Sequence, residues 1–140
     1  MINRVFLDSN VWIYLFAAED DRKSRTAREY ITENAKKHLF VLSYQVINEV
    51  CSVLIKKKYK EPEIRRVAGD MMGLCDICAN SNDVVFFASE LREEHAFSYW
   101  DSLIIASAIV SRCDLLVSED MQDGRIIGGL LIKDIFMKNE

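Results

Sequence analysis

Short apolar runs alternate along the chain with longer stretches of helical period. Val5-Phe6-Leu7 is a continuous apolar run ending at Asp8, the pattern of a strand buried on both faces. Asn10 to Phe16 reads as one or two helical turns, and Arg22 to Lys37 as a longer amphipathic helix. Leu39-Phe40-Val41-Leu42 is a second strand, and Ser43 is placed to cap a helix from Tyr44 to about Lys57. Pro62 falls in the first turn of the next helix, where a missing N–H is tolerated, and that helix is predicted to reach about Cys78. Asp83-Val84-Val85-Phe86 reads as a third strand, followed by helices at 87–95 and 100–112. Leu115-Leu116-Val117 gives a fourth strand and Leu130–Ile132 a fifth. Strands alternating with helices require crossover connections. The expected class is therefore α/β, a three-layer α/β/α arrangement around a mostly parallel sheet of four to five strands.

Composition narrows this picture. The 140 residues suit a single domain, 1–140, with one hydrophobic core. Five glycines and one proline leave little room for a linker. The longest apolar runs, Val11–Ala18 and Leu103–Val110, are too short to span a bilayer. Asp8 arrives before any export signal can develop, so a cytoplasmic protein with reduced thiols and no membrane partner is expected. The net charge of −4 has the wrong sign for binding nucleic acid through bulk charge. Two local clusters are basic: Lys56, Lys57, Lys58, Lys60, Arg65 and Arg66, and separately Arg22, Lys23, Arg25 and Arg28. Either is readable as a solvated helical face or as a guide for a polyanionic backbone.

Acids recur where the strands end. Asp8 closes the first strand, Glu49 lies in the helix after the second, and Asp101 opens the helix after Tyr99-Trp100. Asp120, with Glu119 and Asp123 close by, follows the fourth strand. In open α/β sheets, ligand sites gather outside the carboxyl ends of the strands. Singly, several of these acids have ordinary explanations. Asp8 and Asp101 could serve helix starts, and Asp120 and Asp123 could serve a turn near Gly124. Glu49 resists such a reading, because Val46, Val50 and Val53 put it within the apolar stripe of its helix. Asp101 is similarly placed against Ile104, Ile105 and Ala108, and no lysine or arginine stands at helical spacing to pair with either. Two carboxylates about 4 Å apart repel by roughly 4 kcal/mol at an effective dielectric of about 20. Several in one pocket take up protons or recruit a cation. Oxygen-only ligands favour Mg²⁺ or Mn²⁺ over zinc or copper.

Other features point to less. Cys75-x-x-Cys78 falls in a predicted helix with no second pair, so core thiols are expected. His38 and His95 have no base–nucleophile partner, and Trp12 and Trp100 read as core or dimer anchors rather than base-stacking platforms. No glycine-rich phosphate loop is present. A phosphate-accepting receiver domain would need an aspartate after its third strand, where Phe86-Phe87-Ala88 stands.

Phe6-Leu7-Asp8-Ser9-Asn10 followed by Val11-Trp12-Ile13-Tyr14 resembles the opening of PIN domains, a hydrophobic strand ending in Asp-(Thr/Ser)-Asn. Asn48-Glu49-Val50 resembles their helix-borne glutamate, and Ser98-Tyr99-Trp100-Asp101-Ser102-Leu103-Ile104 the third acidic motif of the bacterial toxin branch. Leu116-Val117-Ser118-Glu119-Asp120-Met121-Gln122-Asp123-Gly124 resembles that branch's fourth motif. The resemblance implies an α/β/α nuclease with Mg²⁺ or Mn²⁺ at an acidic pocket, cutting single-stranded RNA. It further implies the toxin of a toxin–antitoxin pair (VapC-like), a homodimer silenced by a cognate antitoxin. By motif position Asp8, Glu49 and Asp101 inherit the metal, with Asp120 as fourth acid and Asp123 in reserve. Asn10 and Ser118 would orient the ligands or the attacking water. A PIN nuclease of RNA maturation, or a catalytically silent PIN scaffold that binds RNA or a protein, are the alternatives.

Overall fold

The computed structural model describes residues 3–17, 20–79 and 81–137; Ala18, the last residue of one apolar run noted above, lies outside them. In chain order the elements are β1 (Arg4–Leu7), α1 (Ser9–Ala17), α2 (Asp21–Asn34), β2 (Leu39–Leu42), α3 (Tyr44–Lys56) and α4 (Glu61–Leu74). There follow β3 (Cys75–Ile77), α5 (Ser81–Glu94), α6 (Tyr99–Val110), β4 (Leu115–Val117), β5 (Ile126–Ile127) and β6 (Leu130–Lys133). The strands form one sheet in the order β3-β2-β1-β4-β6-β5. Every neighbouring pair is parallel except β5 and β6.

Val5, Phe6 and Leu7 are all buried, as are Phe40, Val41 and Leu42. Because consecutive strand residues point to opposite faces, such runs mean that both faces of the central sheet are covered. Next to the edge strand β5, β6 alternates buried and exposed residues instead. On the helical side, α1 packs on α2 and α3, and α3 on α4, while α5 and α6 form a separate pair. The core is centred on Phe6, Leu7, Trp12, Leu42, Leu54 and Leu116. Trp12 is a core anchor, its Nε1 donating to the Leu7 carbonyl at 3.3 Å.

Four expectations need correction. The helix expected to run to Cys78 stops at Leu74, and Cys75–Ile77 becomes β3 instead. Glycines at 69 and 73 weaken the end of α4, while the open edge of β2 offers ladder hydrogen bonds with Phe40 opposite Cys75. The strand expected at Asp83–Phe86 is the start of α5. Val84, Ala88 and Leu91 are buried at helical spacing, while Val85 and Phe86 stand 54% and 73% exposed. A four-residue apolar run does not by itself separate the two periods. The third correction is the strand count of six, since two-residue β5 carries no pattern of its own. The helix expected to reach Lys37 also ends early, at Asn34.

The topology fixes where a site can form. From β1 the chain winds outward to β2 and β3, then returns to β4 on the other side of β1. The carboxyl ends of β1 and β4 therefore bound the switch point, where open α/β sheets leave a crevice.

Candidate metal centre

Asp8 leaves β1 at that crevice. Its amide donates to the Val117 carbonyl of β4 at 3.0 Å, and the residue is only 6% exposed. Its Oδ1 accepts the Ser9 amide at 2.7 Å and its Oδ2 the Ser118 hydroxyl at 2.8 Å. Burial pushes the carboxyl up to about 6. The Ser9 and Ser118 hydrogen bonds pull it back down, and the charges of Glu49 and Asp120 push it further up. Asp8 thus has two acids for electrostatic neighbours and only neutral donors for partners.

Those two acids arrive from different elements. Glu49, half-buried on α3, accepts the Ser9 hydroxyl at 2.7 Å and the Gln45 side-chain amide at 2.9 Å. Asp120 follows β4; its carboxylate accepts the Asn10 side-chain amide at 3.2 Å, and its backbone amide donates to Ser118 Oγ at 3.3 Å. Ser118 is wholly buried and so links Asp8 to the Asp120 backbone. Asn10 also accepts the Glu119 amide at 3.3 Å, fixing this loop to α1.

Asp101 sits half-buried in the first turn of α6, its amide capped by Ser98 Oγ at 3.1 Å. Its carboxylate has no hydrogen-bond or ion-pair partner among the described residues. Gln45 lies 3.5 Å from the Trp100 carbonyl while bonded to Glu49, so the start of α6 abuts the Glu49 side of the crevice. Asp123 and Glu119 are committed elsewhere. Asp123 is exposed and its Oδ1 accepts the Asp134 amide at 2.8 Å, which is turn chemistry. Glu119 accepts the Tyr14 hydroxyl at 2.5 Å and pairs with Lys23 at 2.7 Å. Burial first, then Glu119, holds the Tyr14 hydroxyl above its ordinary range, so it remains a donor.

The structure therefore gathers Asp8, Glu49 and Asp120 with Asn10 and Ser118, and sets Asp101 on the adjoining helix start. As they stand, no three His, Cys, Asp or Glu side chains among the described residues are close enough to encircle an ion. The donor set nevertheless suits a hard divalent cation: carboxylate oxygens only, one of them deeply buried, and no lysine or arginine paired with any of the four acids among the described residues. The supports for Glu49 escape a search for acids. Ser9 and Gln45 hold both its oxygens, and only Gln45 leaves a sequence signal, standing four residues before Glu49 on one helix face. All four cysteines are free thiols, and burial pushes Cys75 and Cys113 up to about 12.

Residues 5–122 match the family described as PIN domain. No curated protein matches the chain by sequence. Among solved structures, the VapBC2 complex of Rickettsia felis, bound to a DNA fragment from its promoter, contains a chain similar to this one. Its TM-score is 0.72 at 22% identity, over 93% of this chain and 97% of that one. A toxin–antitoxin complex from Klebsiella pneumoniae gives a TM-score of 0.69 at 24% identity, over 91% and 95%. VapC20 of Mycobacterium tuberculosis, a toxin that cleaves the sarcin–ricin loop, gives 0.62 at 19% identity, over 80% and 86%.

Proposed function

The chain belongs to the PIN-domain family, and on that premise we propose that it is a Mg²⁺- or Mn²⁺-dependent endoribonuclease of single-stranded RNA. It acts in the cytoplasm as a homodimeric toxin silenced by a cognate antitoxin. The observation that carries the reading is Asp8: a buried carboxylate whose electrostatic neighbours are Glu49 and Asp120 and whose partners are neutral. The toxin assignment is supported by the solved structures of similar fold, which come from toxin–antitoxin systems and include an RNA-cleaving toxin.

Asp8, Glu49, Asp101 and Asp120 would hold the ion, with Asp123 left to its turn. When bound, a divalent cation supplies charge that polarises water and offsets the negative charge gathering on a phosphodiester. The chain's own contribution is orientation. Ser118 and the Ser9 amide fix both oxygens of Asp8, Ser9 and Gln45 fix both oxygens of Glu49, and Asn10 aims Asp120. Such outer partners are worth about 10–100-fold in metal affinity or activity. The test is cleavage of an unstructured oligoribonucleotide with added Mg²⁺ by wild-type, Asp8→Asn and Asp101→Asn proteins. Each substitution should lower the rate by more than about 100-fold, beyond the range of an outer partner. Unchanged cleavage by either variant would remove its carboxylate from the mechanism.

A further inference from the structure

Beside the acids runs a groove of about 780 Å³, within the range of about 300–1,000 Å³ typical of ligand clefts. We propose that this groove seats the nucleotides next to the scissile phosphate, with Trp100 as a base-stacking platform and Lys56 as the contact to a neighbouring phosphate. The inference rests on the nuclease reading and adds to it a path for the RNA strand.

One wall of the groove is a face of α3, with α1 and α6 supplying the rest. Gln45, Glu49, Ser52 and Lys56 line it from α3 at intervals of four, three and four residues. One end, at Ser9 and Glu49, is the acidic site; the other, at Lys56, opens into the lysine-rich end of α3. Glu49 and Lys56 are seven residues apart, or about 10 Å along the axis at 1.5 Å per residue. A polyanion with one phosphate at the acidic end would carry its chain toward the ammonium group. Between the ends, Ile13, Val53 and Leu103 offer apolar contact of the kind that base faces accept. Asn48 and Ser52 are exposed and have no hydrogen-bond partner among the described residues, which leaves them free for base edges or a ribose 2′-hydroxyl.

Of the two anchoring roles the sequence suggests for Trp100, core or dimer, the structure excludes the core: it stands 63% exposed on the wall of the groove. It is nonetheless braced. Tyr99 meets it edge-on at 5.1 Å and 89°, Arg92 lies 4.9 Å over the Tyr99 ring, and Arg92 also donates to Ser102 Oγ at 2.8 Å. An aromatic held in place while exposed loses little freedom on binding. Single-stranded nucleic acid is bound in this way, by aromatic faces and cations along one groove.

The test uses the full-length Asp8→Asn protein, which should bind RNA without cutting it, and a fluorescein-labelled oligouridylate read by anisotropy. Trp100→Ala should weaken binding about five- to a hundredfold, the value of one stacked base. Trp100→Phe should keep most of the affinity, and circular dichroism of both variants checks folding. Lys56→Ala should lower the slope of log affinity against log salt by about 0.7, one phosphate's share on a single strand. RNA should quench the intrinsic tryptophan fluorescence, and Trp100→Phe should abolish the quenching because Trp12 is buried. If RNA binds Asp8→Asn protein while Trp100→Ala and Lys56→Ala leave affinity and salt slope unchanged, the groove is not the path and the nuclease reading stands. If Trp100→Ala leaves RNA affinity alone but dissociates a dimer in the ultracentrifuge, the face belongs to a second copy and the proposal falls. If the wild-type protein cuts no RNA and Asp8→Asn binds none, the nuclease reading fails and takes the groove with it.

Discussion

The two ends of the sheet treat acids differently. Near the amino ends of β1 and β4, Arg4 pairs with Asp76 at 3.1 Å and donates from Nε to the Ser111 carbonyl at 2.9 Å. Asp114 accepts the Arg4 amide at 3.0 Å. At the carboxyl ends of the same strands, Asp8, Glu49 and Asp120 receive hydrogen bonds from hydroxyls and amides and no cation among the described residues. Burial of a carboxylate without a cation is costly. The contrast sets an end where Arg4 offsets the charge of Asp76 against one where the carboxylates have neutral donors only, which is the end that the proposed metal would serve. Glu119 makes the same point at close range: one residue from Asp120, it is neutralised by Lys23 and becomes a strut.

The sharpest way to break this contrast is through Asp8 in metal-free protein. Its folded carboxyl is raised to about 6, against about 3.9 when unfolded. A raised acid means that the folded state binds more protons than the unfolded state between those values. Stability from this group is therefore full below about pH 4, falls as pH rises through the folded value, and stays lost above it. The rise from about 3.9 to about 6 corresponds to on the order of 3 kcal/mol. Asp8→Asn should remove that loss, so the metal-free variant should melt higher than wild type at pH 7.5, by on the order of 5–10 °C, and the curves should converge near pH 4. Added Mg²⁺ should raise the melting temperature of wild type at pH 7.5 and leave the variant unmoved. Calorimetric scans showing parallel pH profiles for the two proteins would mean that Asp8 is compensated after all.

A smaller effect is expected one step out. Lys23 and Tyr14 hold Glu119, Asn10 holds the Glu119 amide, and Asn10 also holds Asp120. Lys23→Ala should loosen this loop and lower Mg²⁺ affinity about tenfold, the low end for outer partners. Glu119→Gln, which keeps the Tyr14 hydrogen bond, should lose less. Isothermal titration separates the two cases: equal losses would mean that Glu119 is itself a ligand, and no loss in either would mean that the strut does not reach the metal.

The positions of Asp8 and Asp120 were legible in the sequence because each comes just after a strong strand. Val5-Phe6-Leu7 and Leu115-Leu116-Val117 are unambiguous buried strands, so Asp8 and Ser118 fall where the pattern puts them. Glu49 was legible because a charge inside an apolar stripe violates the helical pattern around it. The region from 75 to 86 misled for the opposite reason. Cys75-Asp76-Ile77 is three residues long and Asp83-Val84-Val85-Phe86 four, too short to carry a period, and pairing with β2 and packing against α6 decided them. The exposure of Trp100 was not legible either, since beside Tyr99 and ahead of Ile104 and Ile105 it reads equally as a core or a dimer anchor. What points it outward is its place in the first turn of α6, ahead of the buried run from 104 to 108.

The smallest effect should come from the compensated end, and that is why it discriminates. Arg4 and Asp76 have side chains 32% and 62% exposed, so their ion pair contributes about 0–1 kcal/mol and is screened by salt. Losing the Nε bond to Ser111 adds roughly 1 kcal/mol. Arg4→Ala should therefore lower stability by no more than about 2 kcal/mol in denaturant titrations. It should leave RNA cleavage within about twofold of wild type, because Arg4 touches none of the four acids. A much larger loss of cleavage with unchanged folding would show that the field of Arg4 reaches across the sheet to Asp8. The two ends would then share one charge balance, and the absence of a local cation beside Asp8 would no longer imply an external one.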